Sequence, residues 1–297
     1  MEEKRTALVT GGNTGIGFET CRQLASNGIR VILTDRDENL GGKVVQQLNL
    51  SGFPDVVFHQ LDITNRTSIS RTVDFVKSHF KKLDILVNNA GHMGIVIVNE
   101  EKFKAGEGFV QVLDEKAHLL TDILKQSYEL AEECIKTNYY GTKAVTMAFL
   151  PLLQLSDSPR IVNITSRYGE LFFIHNEKVR NELRDMKTVT EERLDEITSR
   201  FLSDMKAGKL EENGWPLTVS AYKVSKAAIN AYTRLMAKEY PKMLINSVHP
   251  GYVITDMSVQ TGYITPEEGA KAPVMVALLP DGGPSGKYFS QFEISPV

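Results

Sequence analysis

The chain has 297 residues, 42% hydrophobic and 24% charged, which excludes a disordered protein and leaves length for a core without staples. Thirty-four Lys plus Arg against 37 Asp plus Glu give a formal charge of −3, which argues against a dedicated nucleic-acid binder. The two cysteines, Cys21 and Cys134, lie in no CxxC or Cys/His cluster, so neither a disulfide framework nor a metal site is expected.

The N-terminal Met-Glu-Glu-Lys-Arg carries no signal-peptide pattern, and no window approaches the roughly eighteen apolar residues of a membrane span. The expectation is a cytosolic protein without a membrane partner. The Asn65 and Asn163 sequons then read as chance matches.

Short apolar runs alternate with helical stretches. Thr6–Thr10 reads as a buried strand, and Gly15–Asn27 as a helix that Gly28 stops. Arg30–Thr34 is a second strand and Asn39–Leu50 a second helix. Val56–Gln60, Asp84–Val87, Arg160–Ile164 and Leu244–His249 continue the strands. This rhythm predicts an α/β fold: one doubly wound parallel sheet of Rossmann type in a single domain. Two segments interrupt it, one from Gly91 to about Lys125 and one from Ile174 to Pro216. In the second, Thr188-Val189-Thr190-Glu191 fits a capping box, and Leu194, Ile197, Phe201, Leu202 and Met205 fall on one helical stripe. The stripe alone fits a surface helix packed on the body, with a lid as the other reading.

The first strand ends in Thr10-Gly11-Gly12-Asn13-Thr14-Gly15-Ile16-Gly17 and feeds a helix. Glycines permit a tight turn and a close approach, and a helix N-terminus offers free N–H groups, as a pyrophosphate needs. Asp35 ends the second strand, where a carboxylate binds ribose hydroxyls and repels a 2′-phosphate, which favours NAD over NADP. Arg36 pulls toward NADP, since a guanidinium pairs with phosphate. Later, Tyr222 and Lys226 stand four apart, one helical face, where an ammonium favours the phenolate. Alone that spacing says little.

Together, TGGNTGIG (10–17), Asn88-Asn89-Ala90-Gly91, Asn138, Ser166, Tyr222-x-x-x-Lys226 and Pro250-Gly251 resemble the short-chain dehydrogenase/reductase family over essentially the whole chain. LDILVNNAG (83–91), TNYYG (137–141), PLLQLSDSPRIVN (151–163) and LLPDGGPSG (278–286) resemble its carbonyl-reductase-like plant branch, which holds salutaridine, menthone and isopiperitenone reductases. The resemblance implies a proton-transferring Tyr222, a Lys226 that holds the nicotinamide ribose and lowers the pKa of Tyr222, a Ser166 on the substrate oxygen, and an Asn138 that orders a relay water. It implies a dinucleotide held by Gly11, Asn13, Thr14, Gly15, Ile16, Gly17, Asp35, Arg36, Asp62, Ile63, Asn88, Ala90, Gly91, Lys226, Pro250, Gly251, Val253 and Thr255, with Asn88 beside the adenine ribose. It also implies that segment 174–216 is a helical flap over the substrate pocket, and that the protein is a monomer.

NADPH-using relatives carry a basic residue where this chain has Thr14, and a small neutral one where it has Asp35. The expected function is therefore NAD(H)-dependent interconversion of a secondary alcohol and a ketone on a hydrophobic small molecule, terpenoid or alkaloid in type. Tyr168, Met93, Phe172, Trp215, Tyr252 and Met257 are expected along the pocket wall. The alternatives are an NADPH-dependent ketone reductase and, in another class, a non-catalytic dinucleotide-binding scaffold.

Overall fold

The computed structural model describes residues 4–112 and 114–297. Strands and helices alternate from the start: β1 (Thr6–Thr10), α1 (Gly15–Ser26), β2 (Arg30–Asp35), α2 (Glu38–Leu50), β3 (Val56–Gln60), α3 (Arg66–Phe80) and β4 (Ile85–Asn88). A short hairpin, β5 (Val96–Ile97) and β6 (Leu124–Lys125), encloses α4 (Glu100–Ala105). Next, α5 (Tyr128–Ile135) runs through a π-helical turn, Lys136–Gly141, into α6 (Thr142–Leu153). Then come β7 (Arg160–Ile164), α7 (Glu177–Arg184), α8 (Glu191–Lys206), α9 (Ser220–Glu239), β8 (Leu244–His249), α10 (Pro266–Ala277), β9 (Tyr288–Ser290) and β10 (Glu293–Ser295).

Eight strands form one sheet, ordered β10-β9-β8-β7-β4-β1-β2-β3. Every neighbour is parallel except β9 and β10. Alternate residues face opposite layers. Leu8, Ile32, Leu86 and Ile161 enter one apolar cluster, while Ala7, Val9, Val31, Leu33 and Val87 enter the other. With both faces covered, the strands are continuously apolar, as the sequence shows. The strand order reverses between β1 and β4, and sheets of this kind bind ligands at the carboxyl ends of the strands at such a reversal.

The predicted strands all form. The closing pair β9–β10 is not legible in sequence, because each strand has only three residues and Phe292 and Ile294 stay half exposed. The expected capping box is displaced. Thr190 caps α8 through Arg193 N at 3.2 Å, while the Thr188 hydroxyl turns back to Asp185. The capping box that does form joins Thr265 and Glu268 at α10.

The charge-rich segment before α9 is pinned at its ends, where Asn176 bonds Gly214 O and Asn213 O at 2.7 and 2.6 Å. Its α8 lies on α5 and α9 and buries Leu194, Ile197 and Phe201. Asp195 fixes it there, accepting from Tyr139 Oη at 2.8 Å and Lys143 Nζ at 2.9 Å. Trp215, expected on the pocket wall, is instead buried in this segment. Its ring packs edge-on against Phe201, and its indole N–H donates to Asp204.

Candidate active site

The chain leaving β1 turns through Gly11 (φ +64°) and Gly15 (φ +54°), conformations in which only glycine is unstrained. A Cβ at Gly17 would stand 2.1 Å from Gly11 O, so the helix can start there only without a side chain. Most other helices have a side-chain cap: Asp37, Asn65, Asn99, Ser127, Asn176, Thr190 and Thr265 each serve one. Helix α1 starts at Thr14 with none. Its first-turn N–H groups and dipole end therefore stay unspent, beside Asn13, exposed Thr14 and half-buried Ile16. Such a cradle fits a pyrophosphate.

The other wall comes from β4. Asn89, absent from the expected site, holds the loop: its Nδ2 donates to Thr10 O at 3.0 Å and Gly11 O at 2.9 Å. Thr10 Oγ1 in turn accepts from the N–H groups of Asn89 and Ala90. The signal for Asn89 was its place directly after a strand that borders the glycine loop. Asn88 departs from expectation. Its side chain points inward, donating to Thr146 Oγ1 and Asn163 Oδ1, because it is the last residue of β4 and faces the buried layer.

At the far end, Asp35 is half-buried, and burial pushes its carboxyl up despite hydrogen bonds from the Asp37 and Arg36 N–H groups. Arg36 is exposed. Asp62 accepts from Thr64 N and Oγ1, both at 2.8 Å, and buried Ile63 packs under Gly141.

Tyr222 and Lys226 lie on consecutive turns of α9, with Lys226 Nζ 5.4 Å from the Tyr222 ring centroid. Ser166, two residues past the end of β7, lies beside the phenol, and its hydroxyl accepts from Tyr168 N at 3.2 Å. The competing hydroxyl, Thr165, is buried and faces Lys226 O. Burial pushes the Tyr222 phenol up, and the Ser166 contact opposes it. The Lys226 ammonium donates to Ile164 O at 2.8 Å, and burial lowers it to about 8.

Asn138 sits inside the π turn and is fully buried. Its Oδ1 accepts from His92 N, while its Nδ2 donates to His92 O and to Ser225 Oγ. Gly91 is the meeting point: a Cβ there would stand 3.4 Å from Asn138 Oδ1 and 3.8 Å from Lys226 Nζ. After β8, buried Pro250 and Gly251 (φ +97°) turn the chain, Val253 packs into the core against Gly269, and Thr255 Cγ2 reaches the glycine loop at Gly15.

Residues 5–177 match the family model described as short chain dehydrogenase, a stretch that includes Ser166 and ends before Tyr222. A (+)-neomenthol dehydrogenase of Arabidopsis thaliana is 48% identical, covering 99% of this chain and 98% of its own. The solved structure of salutaridine reductase from Papaver somniferum is 48% identical, with a TM-score of 0.88, 97% of this chain and 99% of that one covered. A rat protein named Carbonyl reductase [NADPH] 1 is 34% identical over 99% of both chains.

The chain belongs to the short-chain dehydrogenase/reductase family. It is an oxidoreductase of that family's plant reductase branch, and the fold implies a nicotinamide dinucleotide cofactor. Among the described residues no helix is long and apolar enough to cross a membrane.

In this dehydrogenase/reductase the segment after β4 reaches Tyr222 through Tyr168, whose ring meets that of Tyr222 edge-on at 6.5 Å. Tyr168 Oη donates to Phe109 O at 2.6 Å, and Phe109 N donates to Tyr252 Oη at 3.1 Å. Gly108 (φ +63°) lies so close to Tyr252 and Thr261 that a Cβ would stand 2.2 Å from Thr261 Oγ1. Met93 packs on the core nearby, whereas Phe172 and Met257 are exposed at 77% and 42%.

Removing the Asn89 amide should loosen the glycine loop. Asn89→Ala is expected to weaken dinucleotide binding by roughly tenfold, the scale of one or two lost hydrogen bonds. Titration of cofactor fluorescence measures it, and unchanged affinity would remove Asn89 from the site.

Proposed function

We propose that this enzyme interconverts a secondary alcohol and a ketone on a small hydrophobic molecule of terpenoid or alkaloid type, with NAD(H) preferred. The observation that carries this reading is the placing of Tyr222 and Lys226 on consecutive turns of α9, with Lys226 Nζ 5.4 Å from the Tyr222 ring and Ser166 beside the phenol. The uncapped start of α1 and the glycines at 11, 15 and 17 would hold the pyrophosphate, with Asn13, Thr14 and Ile16 around it. Asp35 would hold the adenosine ribose, Asp62 and Ile63 the adenine, and Ala90, Gly91, Pro250, Gly251, Val253, Thr255 and Lys226 the nicotinamide half. When bound, the dinucleotide supplies or accepts the hydride.

The residues of the chain manage the proton. Buried Tyr222 stands protonated and gives its proton to the ketone oxygen, which the Ser166 hydroxyl holds. Asn138 orders a water that resupplies protons past Lys226. The walls fit an apolar substrate: the Tyr168 and Tyr252 hydroxyls are already bonded to the Phe109 main chain, which leaves Ser166 and Tyr222 to meet a substrate oxygen. This intact proton-transfer set argues against a mere binding scaffold.

Segment 174–216 is proposed to back the pocket as a flap through His175, which bonds Asp114 of the segment after β4 at 2.9 Å. Because α8 covers α5 and α9, the enzyme is proposed to act as a monomer. Two free, buried cysteines suit a reducing compartment such as the cytosol.

NADP(H) use is the second reading, favoured by exposed Arg36 and by the NADPH in the rat relative's name.

Tyr222→Phe should keep dinucleotide affinity and lose about 10²- to 10⁴-fold in kcat, the range of a general acid. Parent-like turnover would overturn the mechanism. With Lys226 lowered to about 8, ketone reduction should hold below that pH and fall as pH rises through it and the ammonium is lost. A pH–rate profile that stays flat to pH 10 would exclude the charged lysine from the reaction. Dissociation constants for NAD⁺ and NADP⁺ should favour NAD⁺ in the parent and relax or invert in Asp35→Ala. Tighter NADP⁺ binding by the parent would mean Arg36 dominates.

A further inference from the structure

Lys223 follows Tyr222 directly, yet the reaction described above does not use it. It is 1% exposed. A buried ammonium is costly unless paired, so its partners define its role. Nζ donates to Asp114 Oδ1 at 2.8 Å and to Thr218 Oγ1 at 2.9 Å. The same Nζ lies 5.4 Å from the Tyr168 ring centroid and 5.1 Å from that of Phe173, within cation–π range. Tyr168 in turn meets the Tyr222 ring edge-on at 6.5 Å.

Asp114 belongs to the segment that walls the pocket. It also accepts from Thr218 N at 2.9 Å and Oγ1 at 2.5 Å, and it bonds His175 Nε2. Burial alone would raise its carboxyl, but the Lys223 ammonium and these donors hold it at about 2. Five residues upstream, Phe109 is clasped through N and O by Tyr252 and Tyr168. The wall is thus fastened twice, at Phe109 and at Asp114, and Tyr168 and Lys223 link the two fastenings.

We propose that Lys223 is a positioning residue for the reaction: through Asp114 and the Tyr168 ring it fixes the described residues 108–112 and 114–119 against α9, and so sets how the ketone is oriented before Tyr222. This rests on the reading of Tyr222 as the proton donor. Helix geometry makes the arrangement possible, since adjacent residues differ by about 100° around the axis. Tyr222 can face the crevice while Lys223 reaches the neighbouring wall.

The test uses the full-length enzyme, saturating dinucleotide, and menthone or whichever cyclic ketone of a panel the parent reduces fastest. Lys223→Met should raise KM roughly tenfold, on the scale of losses from misplacement, with a much smaller change in kcat. Dinucleotide affinity should be unchanged, and amide exchange should quicken across 108–112 and 114–119 but not in α1. Lys223→Arg, which keeps charge and ring stacking, should recover most of the KM. Parent-like KM and exchange in Lys223→Met would overturn the proposal, as would an equal loss of dinucleotide affinity.

Should Lys223→Met unfold because Asp114 is left unpaired, Lys223→Met/Asp114→Leu removes both charges and restores the fold. A raised KM there supports the proposal, and a parent-like KM overturns it. Tyr222→Phe, run alongside, separates the two ideas. Turnover surviving in that variant defeats the mechanism, while the exchange measurement still decides the role of Lys223.

Discussion

The site depends on how closely the chain leaving β1 approaches the chain leaving β4. Gly11 lies against Ala90, where an added Cβ would stand 3.0 Å from its Cα. The Asn89 amide ties the two segments by bonding the carbonyls of Thr10 and Gly11. Both carbonyls lie at a strand end, where the ladder no longer satisfies them, so the amide supplies partners that the sheet cannot. The glycine loop, the unspent N–H groups of α1 and the Gly91 junction all take their places from this contact.

Helix α9 is the second organising element, buried on nearly every face. One side carries Tyr222, Ser225 and Lys226 to the crevice, another carries Lys223 to the pocket wall, and α8 covers it further along. That burial has a chemical consequence. It pushes the phenol up and the Lys226 ammonium down, so the site favours a neutral, proton-bearing tyrosine. Ser225 links this helix to the π turn by accepting from Asn138 and donating to Tyr222 O at 2.8 Å. The π turn widens the helix locally, a feature often found at functional positions, and lets one amide bridge His92 and α9.

The dinucleotide end sets two opposite charges side by side. Asp35 and Arg36 are adjacent and opposite in charge, one half-buried and one exposed. The half-buried carboxylate accepts from the Asp37 N–H at 3.2 Å, whereas the Arg36 side chain is exposed.

Much of this was legible in the sequence. Alternating apolar runs give a parallel sheet because each strand must be buried on both faces, and Gly11, Gly15 and Gly17 mark a turn that no side chain permits. The four-residue spacing of Tyr222 and Lys226 is a helical fact before it is a structural one. Other features needed the fold. Asn88 and Asn89 are adjacent and chemically alike, and only the pleat of β4 decides that one faces the core and the other the loop. Trp215 looked like a pocket residue until its indole found Asp204 and Phe201. Asp114 and Lys223 are far apart in the chain, and no local pattern pairs them. Sequence determines contacts set by period and backbone freedom; contacts set by which distant segments share a buried space are decided by tertiary packing alone.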